Sequence, residues 1–152
     1  MQISLERHEI FSAMHAAISR SVSSVNSRQM RNMAHQTPWE RIVLDVETAG
    51  AEVAVAKYLG VYWAPTFGSN VVDINPNIDV KFTKHLTGRL LVYPEADPDR
   101  RYVLVTGAMP TYNIIGWMDG HEAKQDEFLD QPDRRRPALY CVPQERLHKF
   151  HA

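Results

Sequence analysis

Apolar residues in the first third of the chain recur at steps of three and four. Ile10, Met14, Ala17, Ile18 and Val22 fall on one helical stripe, with Glu9, His15, Ser19 and Arg20 on the opposite, solvated side. The Ser and Asn residues between positions 21 and 27 weaken that helix. A second short helical piece is predicted through Gln29, Met30, Arg31, Asn32 and Met33. Pro38 marks a break or a first helical turn. A stronger helix is expected from Trp39 or Ile42 to Leu59, with Gly50 a point of interruption and Gly60 its C-terminal cap.

From Val61 the grammar changes to strands. Residues 71–74 and 78–82 flank Asn75, Pro76 and Asn77, a good turn. Further strands are predicted at 89–93, 102–106, 112–117 and 138–142, separated by Gly88, by Asp97-Pro98-Asp99, by Met109-Pro110 and by an arginine-bearing loop. Helices first and strands later predict a mixed α/β (α+β) fold, a central mixed β-sheet flanked by helices. Residues 1–38 read as an N-terminal helical extension packed on the core, and residues 39–152 as the core with its C-terminal strand.

Composition narrows the class. A chain of 152 residues suits one domain, and 44% hydrophobic with 23% charged residues excludes wholesale disorder. The sequence contains no apolar run of bilayer length, and its start lacks the basic and apolar segments of a signal peptide. A single cysteine, Cys141, excludes an intrachain disulfide and a thiolate-rich zinc site. The expectation is a soluble cytoplasmic protein with no membrane partner. A net charge of -1 argues against coating nucleic acid through bulk positive charge, though not against a local basic patch.

Candidate chemistry begins on the strand 78–83. Ile78, Val80 and Phe82 point one way and Asp79, Lys81 and Thr83 the other. Taken alone this is a half-buried strand with a solvated face. If the hairpin turns around Pro76, residue 74 lies across from 78 and Asp73 across from Asp79, with Cβ atoms about 5 Å apart. Carboxylates so placed repel unless a cation lies between them. A hard divalent ion such as Mg²⁺ is a natural bridge, and Lys81 could also relieve the repulsion. Glu52 falls near the middle of an apolar helical stripe, beside Val55, Ala56 and Leu59, where an unpaired carboxylate would be costly. A structural salt bridge holds it, the helix frays before it, or it aims into a metal site; jointly with Asp73, Asp79 and Lys81, the site reading is preferred.

Glu52 on a helix, then Asp73, then Asp79-Val80-Lys81 as a D-x-K triplet resembles the PD-(D/E)XK nuclease superfamily, and in style the small nucleases of phages and prophages. The resemblance spans roughly residues 40–118. Val72 stands where a Pro is usually written, and Asp73 and Asp79 are closer together than in many members. It implies a restriction-endonuclease-like core and a Mg²⁺-dependent (or Mn²⁺-dependent) deoxyribonuclease working through metal-activated water, in the host cytoplasm if phage-encoded. Metal would be held by Asp73, Asp79, the Val80 carbonyl and Glu52, while Lys81 would orient or deprotonate the water or stabilise the transition state.

Sequence-independent phosphate contacts are expected from Lys84 and Arg89, which leave the D-x-K strand, from Arg134, Arg135 and Arg136, and from Arg28 and Arg31. For any single pair of these, a merely solubilising surface is the commoner role. Cys141 reads as a core thiol, and Gly120-His121-Glu122 as a surface turn. The N-terminal helices, with Met14, Ile18, Met30 and Met33, are expected either to pack on the core or to build a homodimer. The alternative function is a catalytically inactive module of this fold that binds DNA or a protein partner, with the four polar residues in an internal ion-pair network.

Overall fold

Thr37, Pro38 and Glu40 define the start of the longest helix. Thr37 is the N-cap, and its side chain and that of Glu40 accept each other's backbone N–H groups in a capping box, with Pro38 in the first turn. Gly60, at φ 66°, closes the helix in the left-handed conformation that glycine adopts without strain. The structure is a computed structural model that describes residues 1–26, 37–65, 73, 74, 76–132, 134 and 137–150. Its elements in chain order are β1 (Gln2–Ser4), α1 (Arg7–Asn26), α2 (Pro38–Leu59), β2 (Ile78–Thr83), β3 (Leu90–Val92), β4 (Arg101–Ala108), β5 (Thr111–Asp119), α3 (Gly120–Ala123), β6 (Leu129–Asp130) and β7 (Leu139–Val142). The expected second helical piece through Met30 and Met33, and Val71, Val72 and Asn75 of the expected hairpin, lie outside the described residues.

The fold is mixed α/β, with two sheets where one was expected. A four-stranded sheet runs β1-β5-β4-β2, with β2 parallel to β4 and the other pairs antiparallel; a three-stranded antiparallel sheet runs β3-β7-β6. The reason lies in β4, where residues 102–105 are buried on both faces. Val103 and Val105 join Val80, Tyr112 and Ile114 under the helices. Tyr102 and Leu104 face the other way, with Leu90, Val92, Met118 and Val142. The second sheet exists to cover that other face.

Two helical expectations need correction. Gly50 does not interrupt α2, which runs unbroken from Pro38 to Leu59. A Cβ on Gly50 would collide with the Tyr112 hydroxyl. That hydroxyl hydrogen-bonds the Glu47 side chain at 2.9 Å, so the glycine serves close approach of helix and sheet rather than a break.

The buried stripe of α1 is also not the expected one. Ala13, Ala16 and Ala17 are buried, whereas Met14, Ile18 and Val22 are 38%, 49% and 62% exposed. Small residues let α1 lie close on the alanine-rich stretch of α2, and the larger apolar side chains turn outward. Residues 2–4 pair with β5, so the N-terminal segment contributes to the sheet as well as packing on it.

Candidate active site

The tight turn forms in the register that the sequence implies. Ile74 and Ile78 exchange two 3.0 Å backbone hydrogen bonds, and the Asp73 amide donates to the Ile78 carbonyl. Asp73 therefore sits at the free edge of β2, whose other edge is taken by β4. There its Oδ2 accepts the Val80 amide at 2.7 Å. A strand residue turns its N–H and C=O to the same side, so the Val80 carbonyl faces the Asp73 side as well.

Asp79 and Lys81 occupy the face of β2 opposite Val80, in register with Tyr102 and Leu104 of β4. They line a cavity of about 410 Å³ together with Tyr93, Asp97, Arg100 and Tyr102. Arg100 Nη1 donates to both Asp79 oxygens at 3.2 Å, and Arg100 Nε lies 3.5 Å from Asp97. Lys81 Nζ lies 5.4 Å from the centroid of the Tyr102 ring and has no carboxylate at ion-pair distance among the described residues. Tyr102 is pushed up to about 12 by burial and the nearby Asp79 charge, and its hydroxyl donates to the Asp97 carbonyl at 2.7 Å. It is a neutral phenol wall.

Glu52 lies on the helix side of β2. It is 2% exposed, Arg20 grips its two oxygens at 2.7 and 2.8 Å, and Trp63 Nε1 adds a third bond at 3.1 Å. Arg20, expected on a solvated face, is aimed inward here, which answers the cost of a buried carboxylate. Of the readings open to Glu52, the salt bridge is the one realised in this geometry, on a helix that continues past it to Leu59.

Asp73 is where the four residues meet electrostatically. Its carboxyl is raised to about 7, first by burial and then by the Glu52 charge; the Val80 amide opposes the rise, Asp79 adds to it and Lys81 opposes it. The charges of Glu52 and Asp79, each paired with an arginine, thus add to the negative potential at Asp73, which Arg20 also feels.

That potential is the observation against which a divalent ion can be judged. Among the described residues no three His, Cys, Asp or Glu side chains are disposed to hold one ion. The available set is two carboxylates, Asp73 and Asp79, with the Val80 carbonyl. This suits a hard cation that keeps several waters, and a cation there would offset the crowding that raises Asp73. Glu52 does not join the set, because Arg20 and Trp63 engage its oxygens.

The expected phosphate contacts are scattered. Lys84 and Arg134 are exposed, and Arg89 pairs with Asp130 at 3.4 Å. Arg28, Arg31, Arg135 and Arg136 lie outside the described residues. Cys141 is buried, with its thiol pushed up by burial, as a core thiol should be. Gly120, His121 and Glu122 form the short helix α3 rather than a turn.

Sequence reasoning missed Arg20, Trp63 and Arg100 as partners of the carboxylates. For Arg20 a signal existed: Ala13, Ala16, Ala17 and Arg20 share one helical face, a small-residue surface ending in a long cation. Arg100 has no such local signature. No helix among the described residues is long and apolar enough to cross a membrane. No family model, curated protein or solved structure matches this chain.

Proposed function

We propose that the protein is a Mg²⁺-dependent nuclease that hydrolyses DNA phosphodiester bonds, on a restriction-endonuclease-like core and in a cytoplasmic setting. The observation that supports it is the Asp73–Val80 hydrogen bond, which docks one carboxylate on the backbone of the strand that carries Asp79 and Lys81 into an open cavity. Bound by Asp73, Asp79 and the Val80 carbonyl, a divalent ion would acidify a water and neutralise phosphate charge.

The protein's own groups supply the rest. The Val80 amide fixes the Asp73 carboxylate, and the Lys81 ammonium lies over the Tyr102 ring on the cavity wall. The Lys81 ammonium donates to the attacking water or to a non-bridging oxygen as negative charge grows on the phosphoryl group. The water gives a proton to solvent as its oxygen bonds to phosphorus, the bond to the leaving sugar oxygen breaks, and that oxygen takes a proton from the Lys81 ammonium or from solvent. Arg20 holds the Glu52 carboxylate in place, and the Glu52 charge adds to the field at Asp73.

The test is purified protein with Mg²⁺ or Mn²⁺ on linear, nicked, branched and single-stranded DNA, beside Asp79→Ala and Lys81→Ala. Each substitution is expected to lower the rate by about 100-fold or more. Undiminished cleavage by both variants overturns the assignment.

The arginine pairs of Glu52 and Asp79 favour a second reading, an inactive module of the same fold whose carboxylates serve an ion-pair network. DNA binding without cleavage under any metal supports that one. A second copy of the chain is proposed to seat on the outward row of α1, formed by Phe11, Met14, Ile18 and Val22. Sedimentation as a monomer at all concentrations overturns the dimer.

A further inference from the structure

The two arginine–carboxylate pairs are built differently. Arg20 meets Glu52 fork to fork at 2.7 and 2.8 Å, and Glu52 is sealed from solvent. Arg100 meets Asp79 through one nitrogen shared between both oxygens at 3.2 Å, with a 3.5 Å contact to Asp97 beside it. The first is the short bidentate geometry of a strong, directional pair, whereas the second is long and stretched. Arg100 also lines the same cavity as Lys81, within reach of whatever enters there.

Charge at the cavity wall decides what can enter. Asp79, Glu95 and Asp97 face Lys81 and Arg100 there, a balance that is negative by one charge. A phosphate is repelled by such a wall until a divalent cation reverses its sign. A cation approaching Asp79, for its part, must compete with the Arg100 guanidinium.

From this we infer that Arg100 is an exchangeable phosphate-binding residue: it pairs with Asp79 and passes to a DNA phosphate when a divalent cation takes its place. The inference rests on the nuclease reading above and adds to it a coupling between metal and DNA. Each ligand tightens the other by the same factor, because both act on one shared group. Arg100 is suited to the role since its planar fork fits a phosphate as well as a carboxylate.

The consequence is a pair of effects of opposite sign. Arg100→Gln is expected to bind Mn²⁺ about 5- to 10-fold more tightly by calorimetry, because Asp79 no longer has to be released. In Ca²⁺, the same variant should bind a fluorescent single-stranded oligonucleotide about 10-fold more weakly, and that loss should shrink as salt rises. Arg100→Lys, which keeps the charge without the fork, should fall between on both measurements and also serves if the Gln variant folds poorly.

Wild-type binding of Mn²⁺ with unchanged or weaker binding by both variants overturns the exchange and leaves the nuclease reading standing. Binding of Mn²⁺ by the variants alone supports the exchange in its strongest form. Absence of Mn²⁺ binding in all three proteins overturns both.

Discussion

Arg20 of α1 and Glu52 of α2, 32 residues apart in the chain, form a bidentate ion pair at 2.7 and 2.8 Å, with the Glu52 side chain 2% exposed. The pair ties the N-terminal helix to the one beneath it and adds to the electrostatic field at Asp73. The Ser21–Asp45 hydrogen bond at 2.6 Å and the Glu9–Lys57 ion pair at 2.8 Å join the same two helices, around a core rich in alanines.

Arg20→Ala should therefore destabilise the fold by about 3–5 kcal/mol in urea unfolding, because it strands a buried carboxylate. Glu52→Gln should cost less, since the amide can still accept from Trp63. The double variant Arg20→Ala, Glu52→Ala should recover part of the loss. A change below about 1 kcal/mol for Arg20→Ala would show that water reaches Glu52 freely.

Stability should fall as pH rises from about 4 to about 7. Asp73 titrates near 7 when folded and near its ordinary value of 3.8 when unfolded, so across that window the native state holds the extra proton. The loss is on the order of 2–4 kcal/mol at low ionic strength. Asp73→Asn should flatten the profile, and saturating Mn²⁺ should flatten it in the wild type. An equally steep profile in the Asn variant would assign the effect to other groups. Metal affinity should drop below about pH 7, where the proton competes for Asp73.

Gly50→Ala, which would strengthen an isolated helix, should weaken this one. The new Cβ meets the Tyr112 hydroxyl and disturbs its bonds to the Glu47 side chain and carbonyl. A cost of about 1–3 kcal/mol is expected, read as a lowered Tm. Gly50→Ala combined with Tyr112→Phe should lose less than the sum of the two single changes.

The faces of α1 can be told apart by substitution. Ile18→Gln and Val22→Gln should leave monomer stability within about 0.5 kcal/mol, while Ala17→Leu should cost about 1–3 kcal/mol through overpacking against α2. If the outward row is a dimer seam, Ile18→Lys should shift sedimentation to the monomer and leave the unfolding of that monomer unchanged.

Local chemistry alone determined much of this protein. Thr37, Pro38 and Gly60 mark the ends of α2, because caps are satisfied by residues within one turn of each other. Pro76 and its neighbours set the 74–78 register, and with it the proximity of Asp73 to the D-x-K strand. Alternation along residues 78–83 put Asp79 and Lys81 on one face. Tertiary structure decided the rest, for reasons of range and of size. The hydropathy of Met14, Ile18 and Val22 outweighs that of three alanines in any periodicity count, yet close helix packing selects the alanines. The arginine partners of Glu52 and Asp79 lie 32 and 21 residues away, and no spacing rule reaches that far. Whether the acidic cluster is held by arginines, by a metal or by each in turn is a property of the folded cavity, where charges distant in sequence must balance within a few ångströms.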